Sequence, residues 1–230
     1  MRLVLLGPPG AGKGTQAVRL AEHFRCAVVA TGDIFRGHVA NGTPLGRTAQ
    51  EYMDRGDLVP DEVVISMVME RIAEDDCANG FVLDGFPRTV AQAEALDRRL
   101  ESAGTPLGAA LFFEIDEDEL FRRLAGRSAT LHRSDDTEQT IRHRLEVFAI
   151  KTRPLVDHYE RRGLLLRVDS IGEVDEVTKR ILDGLHRLRA GKGDMARGVR
   201  GAQERGGATA PGRQAGPSVS PPVNRGAQEP

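Results

Sequence analysis

Gly7-Pro8-Pro9-Gly10-Ala11-Gly12-Lys13-Gly14-Thr15 sets four glycines and one lysine directly behind the aliphatic run Leu3 to Leu6. The positions of Gly7, Gly12 and Lys13 satisfy G-x-x-x-x-G-K, the pattern of a phosphate-binding loop. The residue types explain the chemistry. Glycine lets successive backbone N–H groups turn inward around an anion, lysine supplies a point charge for terminal phosphates, and a helix opening behind the loop presents its positive end. The hydroxyl that this pattern carries directly after the lysine is displaced by one position, because residue 14 is glycine and Thr15 follows it. That displacement argues against direct magnesium ligation by the loop and directs the search for the metal's anchor elsewhere.

Asp84 is the candidate. It follows the apolar Phe81-Val82-Leu83, the place where phosphate-loop enzymes hold the acid that organises Mg²⁺ directly or through water. If the bound phosphates take part in phosphoryl transfer, neutralising cations are needed, and arginine's planar fork suits the spread charge of such a transition state. Arg123 and Arg127 stand four apart and can share a helical face, whereas Arg142 and Arg144 stand two apart and cannot, so at most one of the latter points inward. Arg98, Arg99, Arg161 and Arg162 read as solvated surface groups. His132, beside Arg133, reads as a surface histidine; were the acceptor a phosphate, already ionised, it would require no strong base. The remaining histidines form no metal-spaced cluster, and Cys26 and Cys77 make neither a C-x-x-C pair nor a zinc site.

The elements that would position these residues alternate. Strands are expected at Leu3 to Leu6, Ala27 to Val29, Phe81 to Leu83, Ala109 to Ile115 and Leu164 to Val168. Helices are expected after the loop (Ala17, Leu20, Ala21 and Phe24 inward), over Asp33 to Asn41, Pro44 to Asp54, Asp61 to Glu74, Val90 to Ala103, Glu117 to Ala125 and Glu173 to Leu188. A further helix over Thr137 to Tyr159 is kinked or broken at Pro154. Such alternation predicts an α/β fold: a five-stranded parallel sheet with helices on both faces. Ligands of such sheets lie beyond the carboxyl ends of the strands, so Thr31-Gly32-Asp33, Asp84 to Arg88, and Asp169-Ser170 should converge.

Composition bounds the rest. Of 230 residues, 40% are apolar and 29% charged, as in a soluble globular protein, and no apolar run approaches the roughly 20 residues of a membrane span. The short N-terminal apolar run does not resemble a secretory signal, which leads to a cytoplasmic expectation. Past residue 190 the character changes: 9 of the 40 residues from Gly191 to Pro230 are glycine and 5 proline, too few of the others being apolar to offset the entropy of ordering. A disordered tail is expected over 191–230. Its six basic and three acidic residues invite an acidic partner or nucleic acid, but no aromatic residue interleaves the arginines, and a solvated appendage is the simpler reading.

Taken together, the loop Gly7 to Thr15, Thr31-Gly32-Asp33, Asp84-Gly85-Phe86-Pro87-Arg88-Thr89, and Gly126-Arg127 through Arg133-Ser134-Asp135-Asp136 resemble the adenylate kinases of the nucleoside-monophosphate kinase superfamily. The resemblance covers about residues 1 to 188, and D-G-F-P-R is its most specific part. It implies a phosphate-loop fold over 1–190 with a helical acceptor-binding insertion at about 30–59 and a short lid at about 126–136 lacking structural zinc. It implies reversible transfer of the γ-phosphoryl of Mg-ATP to AMP, giving two ADP, by a monomer with no nucleic acid partner for the folded part. ATP would be held by Gly10, Ala11, Gly12, Lys13, Gly14, Thr15, Arg127 and Gly172. AMP would be held by Thr31, Arg36, Asp57, Leu58, Val59, Gly85, Phe86, Pro87, Arg88, Gln92, Arg133 and Arg144. Arg36 and Arg88 would grip the acceptor phosphate, and Arg123, Arg133 and Arg144 would surround the transferred group, with Lys13 on the terminal phosphates. Mg²⁺ would be organised by Asp84 and Asp33 through water. The lid segment Ser128 to His132 is more apolar than usual, and Asp136 with Gln139 reads as a capping box opening the next helix. Kinases for UMP and CMP share the loop and D-G-F-P-R but usually replace the threonine; Thr31 and Gln92 favour AMP. A nucleotide-binding adaptor without turnover is the remaining alternative.

Overall fold

The computed structural model describes residues 1–131 and 138–205, with the backbone alone described for 125–131 and 191–205. Two compact units are present, Met1–Ala190 and Gly191–Pro230. The first contains five strands, β1 (Arg2–Leu6), β2 (Ala27–Ala30), β3 (Phe81–Asp84), β4 (Ala109–Glu114) and β5 (Leu165–Asp169), all parallel and ordered β2-β3-β1-β4-β5. Helices are α1 (Lys13–Phe24), α2 (Thr31–Ala40), α3 (Pro44–Arg55), α4 (Asp61–Arg71), α5 (Val90–Ser102), α6 (Glu117–Leu131), α7 (Glu138–Val147), α8 (Leu155–Arg161) and α9 (Val174–Arg205).

The period of two in each strand divides the core. Val4 and Leu6 of β1, with Phe81 and Leu83 of β3, face one cluster built with Phe35, Ala49, Val64, Leu96 and Tyr159 from the helices. Leu3 and Leu5, with Val82, Leu111 and Phe113, face the other, completed by Ala17 and Leu20 of α1 and Ile181 and Leu185 of α9. Both faces of the sheet are therefore buried, as the continuous aliphatic run of β1 requires. Leu20 is fully buried. Leu20→Ala should lower the free energy of unfolding by about 2–5 kcal/mol in urea titrations, through lost transfer energy and the cavity left behind.

Strand β1 lies between β3 and β4, where the chain's winding reverses, so the loop at its carboxyl end opens into the crevice of the sheet. Local chemistry sets the elements around that crevice. Thr43 caps α3 by accepting the Gly46 N–H at 3.0 Å, with Pro44 at the first helical position. Thr89 caps α5 by accepting the Gln92 N–H at 3.2 Å. Gly56, at φ 79°, ends α3 in the left-handed region, and a Cβ there would stand 3.1 Å from both Thr140 Cγ2 and Arg144 Cγ. Only glycine serves both the turn and the approach of α7.

Three differences from the sequence reading have local causes. Helix α6 continues past Ala125 to Leu131, because one glycine at 126 weakens a helix without ending it and no proline follows. The helix expected over Thr137 to Tyr159 is interrupted by a π turn at Phe148–Thr152, ahead of Pro154, with the Arg153 N–H bonded to the Phe148 carbonyl at 2.9 Å. Proline lacks an N–H and crowds the carbonyl four residues back, and the wider turn absorbs this before α8 begins. In the second unit the described backbone is helical to Arg205, beyond the helix end expected at Leu188; the glycines of 191–205 lower helix propensity, but the first proline there is Pro211.

Candidate active site

A cleft of about 810 Å³ lies over the carboxyl ends of β1, β2, β3 and β5. Its floor is the glycine-rich loop. Gly12, at φ 89°, is the N-cap of α1 and offers no side chain to cap it, and the first turn carries no acidic residue. The helix thus begins with backbone N–H groups turned to the cleft and no carboxylate competing for them. Lys13 Nζ donates to the Gly7 and Pro8 carbonyls, each at 2.8 Å, which draws the loop around its own cation. Gly10, Ala11, Gly14, Thr15 and Gly172 line the same end.

In the same cleft, Arg36, Arg88 and Arg144 converge from α2, the segment after β3, and α7. The Arg88 Nε–H donates to the Gly85 carbonyl at 2.8 Å. Desolvation by the cleft walls, joined by repulsion from Arg144 and Arg36, pushes the Arg88 pKa below the ordinary arginine value, while Asp84 opposes the shift. The guanidinium is still reached by solvent and stays protonated at neutral pH. Arg36 is paired with Asp33. Three guanidinium groups brought this near one another attract a polyanion. Of the arginine pair on α7, Arg144 lines the cleft, whereas Arg142 is exposed and bonded to Glu138 at 3.0 Å. Arg123 enters from α6, held by Glu119 Oε1 at 2.7 Å and by the Ser170 carbonyl at 3.0 Å.

Part of the cleft is an apolar slot with Phe35, Met53, Leu58, Val59 and Val64 in its walls. Thr31 is buried there, its hydroxyl 3.5 Å from the Asp84 carbonyl. Gln92 is 1% exposed; its Oε1 accepts the Arg88 N–H at 2.7 Å and its Nε2 donates to Asp61 Oδ1 at 2.7 Å.

The geometry has the contents that a two-nucleotide phosphotransferase would need, and sequence relatives bear on which one. The sequence model of the family described as adenylate kinase matches residues 5–164. The chain belongs to the adenylate kinase family. It is 56% identical over 185 residues to the adenylate kinase of Thermobifida fusca, a match covering 80% of this chain and 98% of that protein. It is 53% identical over 187 residues to that of Nocardia farcinica (81% and 100%), and 51% over 186 residues to that of Kocuria rhizophila (81% and 99%).

The cleft brings together some of the residues singled out in the sequence and leaves others elsewhere. Lys13, Arg36, Arg88, Arg123, Arg144, Thr31, Gln92, Asp33 and Asp84 all line one cleft. Gly85, Pro87, Leu58 and Val59 join them. Phe86 does not: its side chain is fully buried in the core with Leu83 and Ala93, because the turn around Gly85 aims it at the sheet rather than the cleft. Asp169 also turns away, its Oδ1 accepting the Ile171 N–H at 3.0 Å and its Oδ2 lying 3.6 Å from Arg180. Asp57 lines the cleft, but its carboxylate is engaged by His143 Nε2 at 2.7 Å and Arg55 Nε at 3.1 Å, contacts that hold its pKa below the usual carboxylate value, His143 first. Arg133 and His132, with the hinge at Ser134 to Asp136, fall outside the described residues, and so does the side chain of Arg127.

Several cleft residues escaped the sequence reading. Gln16 is buried in α1, donating to the Val174 carbonyl at 3.0 Å and accepting from the Thr178 hydroxyl at 2.8 Å, so it ties the phosphate loop's helix to α9. A polar residue on the apolar stripe beside Ala17 and Leu20 was its only signal. Thr152, in the π turn, donates its hydroxyl to the Arg88 carbonyl at 3.0 Å and so fixes the segment that carries Arg88. Nothing in the local sequence marks that contact.

The residues fit magnesium carried on nucleotide phosphates. A Cβ placed on Gly14 would lie 3.4 Å from Asp84 Oδ2, so the glycine leaves space between the loop and this carboxylate. Among the described residues no group of three or more His, Cys, Asp or Glu is arranged to hold a metal alone. One or two carboxylates, water and phosphate oxygens are the donor set that magnesium prefers.

Proposed function

We propose that this protein catalyses reversible transfer of the γ-phosphoryl group of Mg-ATP to AMP, giving two ADP. The observation that carries the reading is that one cleft is lined by the glycine-rich loop, by Arg36, Arg88 and Arg144, and by the apolar Phe35, Leu58, Val59 and Val64. ATP lies with its phosphates along Gly10 to Thr15 and against Lys13. AMP lies with its base in the slot near Thr31 and Gln92 and its phosphate between Arg36 and Arg88. An oxygen of the AMP phosphate attacks the γ-phosphorus as the bond to ADP breaks, and the negative charge passes to the departing ADP. No proton has to be removed from the acceptor, so the residues act by positioning and neutralisation. Arg123 and Arg144, with Arg133 from the lid, surround the transferred group, and Arg127 takes the ATP side. Asp84 and Asp33 would hold magnesium through water, and the ion would supply charge neutralisation. Closure of the 30–59 region and the 126–136 lid over the cleft excludes water, so that AMP rather than water receives the phosphoryl group.

The protein acts as a monomer in this reading, since one chain supplies both ends of the cleft. We place it in the cytoplasm; no described helix is long and apolar enough to cross a membrane. An ADP-release assay with AMP, CMP, UMP and GMP as acceptors tests the assignment. AMP should be preferred by on the order of 10²-fold or more, because the slot's buried polar groups are left unpaired by the wrong base. A preference for UMP or CMP would make it a pyrimidine monophosphate kinase, and ATP binding without any acceptor-dependent turnover would make it an adaptor.

A further inference from the structure

Gln92 meets two groups of fixed polarity. Its Nε2 lies 2.7 Å from Asp61 Oδ1, which as a carboxylate only accepts, and its Oε1 lies 2.7 Å from the Arg88 backbone N–H, which only donates. Asp61 opens α4 and does not line the cleft; its other oxygen, Oδ2, accepts the hydroxyl of Thr89 at 2.8 Å. That hydroxyl in turn caps α5 through the Gln92 N–H at 3.2 Å. The carboxylate is thus anchored at the N-termini of two helices, and the amide it holds is 1% exposed.

We infer that Asp61 is a specificity-determining positioning residue, whose carboxylate locks the Gln92 amide in one orientation so that the cleft accepts a 6-aminopurine and rejects a 6-oxopurine. The inference rests on the proposed placement of the acceptor's base beside Gln92. A carboxamide has two N–H donors and two acceptor lone pairs. Asp61 takes one donor and the Arg88 N–H takes one acceptor, leaving one N–H and one lone pair for a base. Adenine offers a donor at its 6-amino group and an acceptor at N1, which match the remaining lone pair and N–H. Hypoxanthine offers the reverse, an acceptor at O6 and a donor at N1, and would be satisfied only by an amide turned by half a revolution. A glutamine free to turn could serve both bases. Here the turn would set Oε1 against Asp61 Oδ1 and Nε2 against the Arg88 N–H, two unmatched contacts in a buried place, so discrimination arises from a group that never touches the base.

The test is the ratio of kcat/KM for AMP to that for inosine 5′-monophosphate, with ATP as donor, in the wild type, Asp61→Asn and Asp61→Ala. Asparagine keeps the volume and can donate or accept; alanine removes the acceptor-only contact altogether. Either substitution should lower the AMP-to-inosine-monophosphate ratio by about tenfold or more, with a gain for inosine monophosphate that loss of stability could not produce. Asp61→Glu should restore at least part of the ratio. Melting curves of the variants accompany the assay, and should one not fold, the other carries the comparison. Parallel loss for both acceptors would make Asp61 merely structural and overturn the inference, as would an unchanged ratio in folded variants or a wild type that accepts both equally. A wild type active on AMP but with an unmoved ratio in the variants would sink this inference alone, whereas a wild type without AMP-dependent turnover would sink the proposed function as well.

Discussion

Arg88→Ala is expected to reduce kcat/KM for AMP by on the order of 10²-fold or more while leaving the fold intact. The guanidinium sits where Arg36 and Arg144 also point, and its Nε–H is fixed on the Gly85 carbonyl at 2.8 Å, so its fork is aimed before any anion arrives. An anion clamp of this kind contributes in the transition state by orientation and charge together, which sets the size of the loss. Arg88→Lys should recover only part of the rate, because a single ammonium reproduces the charge without the planar pair of donors. Stability should move little, within about 0.5 kcal/mol, since the alanine removes one cation from a mutually repelling cluster as well as one hydrogen bond to Gly85. Steady-state kinetics with varied AMP, beside thermal melting of the free protein, separates the two effects. Full AMP-dependent activity in Arg88→Ala would show that the acceptor phosphate lies elsewhere.

Lys13→Met should have a loss of similar or larger size, about 10²- to 10³-fold, expressed mainly in kcat. In the free protein the ammonium is held by the Gly7 and Pro8 carbonyls at 2.8 Å, inside the loop that ATP phosphates are to enter. Methionine keeps the length and apolar stem while removing the charge, so the loop can still close around backbone N–H groups from Gly12 onward. Ground-state binding of ATP should therefore fall less than turnover, because the lysine's charge counts most where negative charge builds on the transferring group. Equilibrium ATP titration together with single-turnover rates distinguishes this from a simple loss of binding. If affinity and turnover fell equally, the lysine would serve binding and not the transferring group.

Much of the fold was legible because it depends on near neighbours. The aliphatic run of β1 faces both halves of the core, as Leu3 and Leu5 against Val4 and Leu6 require, and Thr43-Pro44 and Thr89 start helices by local capping. Where the local rule was incomplete, the boundaries moved. Pro154 was recognised as a break, yet the π turn lies ahead of it, since a helix relieves a proline's crowding in the preceding turn. Phe86 carries an apolar ring within a site motif, and burial against Leu83 and Ala93 decides its direction in favour of the core.

The sequence by itself determined the phosphate loop, the strand–helix alternation, the position of Asp84 after a buried strand, and the choice between Arg142 and Arg144 as an either-or. All follow from turn chemistry and from periods of two and 3.6 residues, which act over a few positions. Only the tertiary structure decided which distant groups meet: Thr152 with the Arg88 carbonyl, His143 with Asp57, Ser170 with Arg123, and Asp61 with Gln92. Those pairs are fixed by how helices dock over the sheet, a balance of packing that no local spacing encodes. The glycine loop carries its phosphate-loop pattern by its own sequence, but the polarity of the Gln92 amide is set by a carboxylate on another helix.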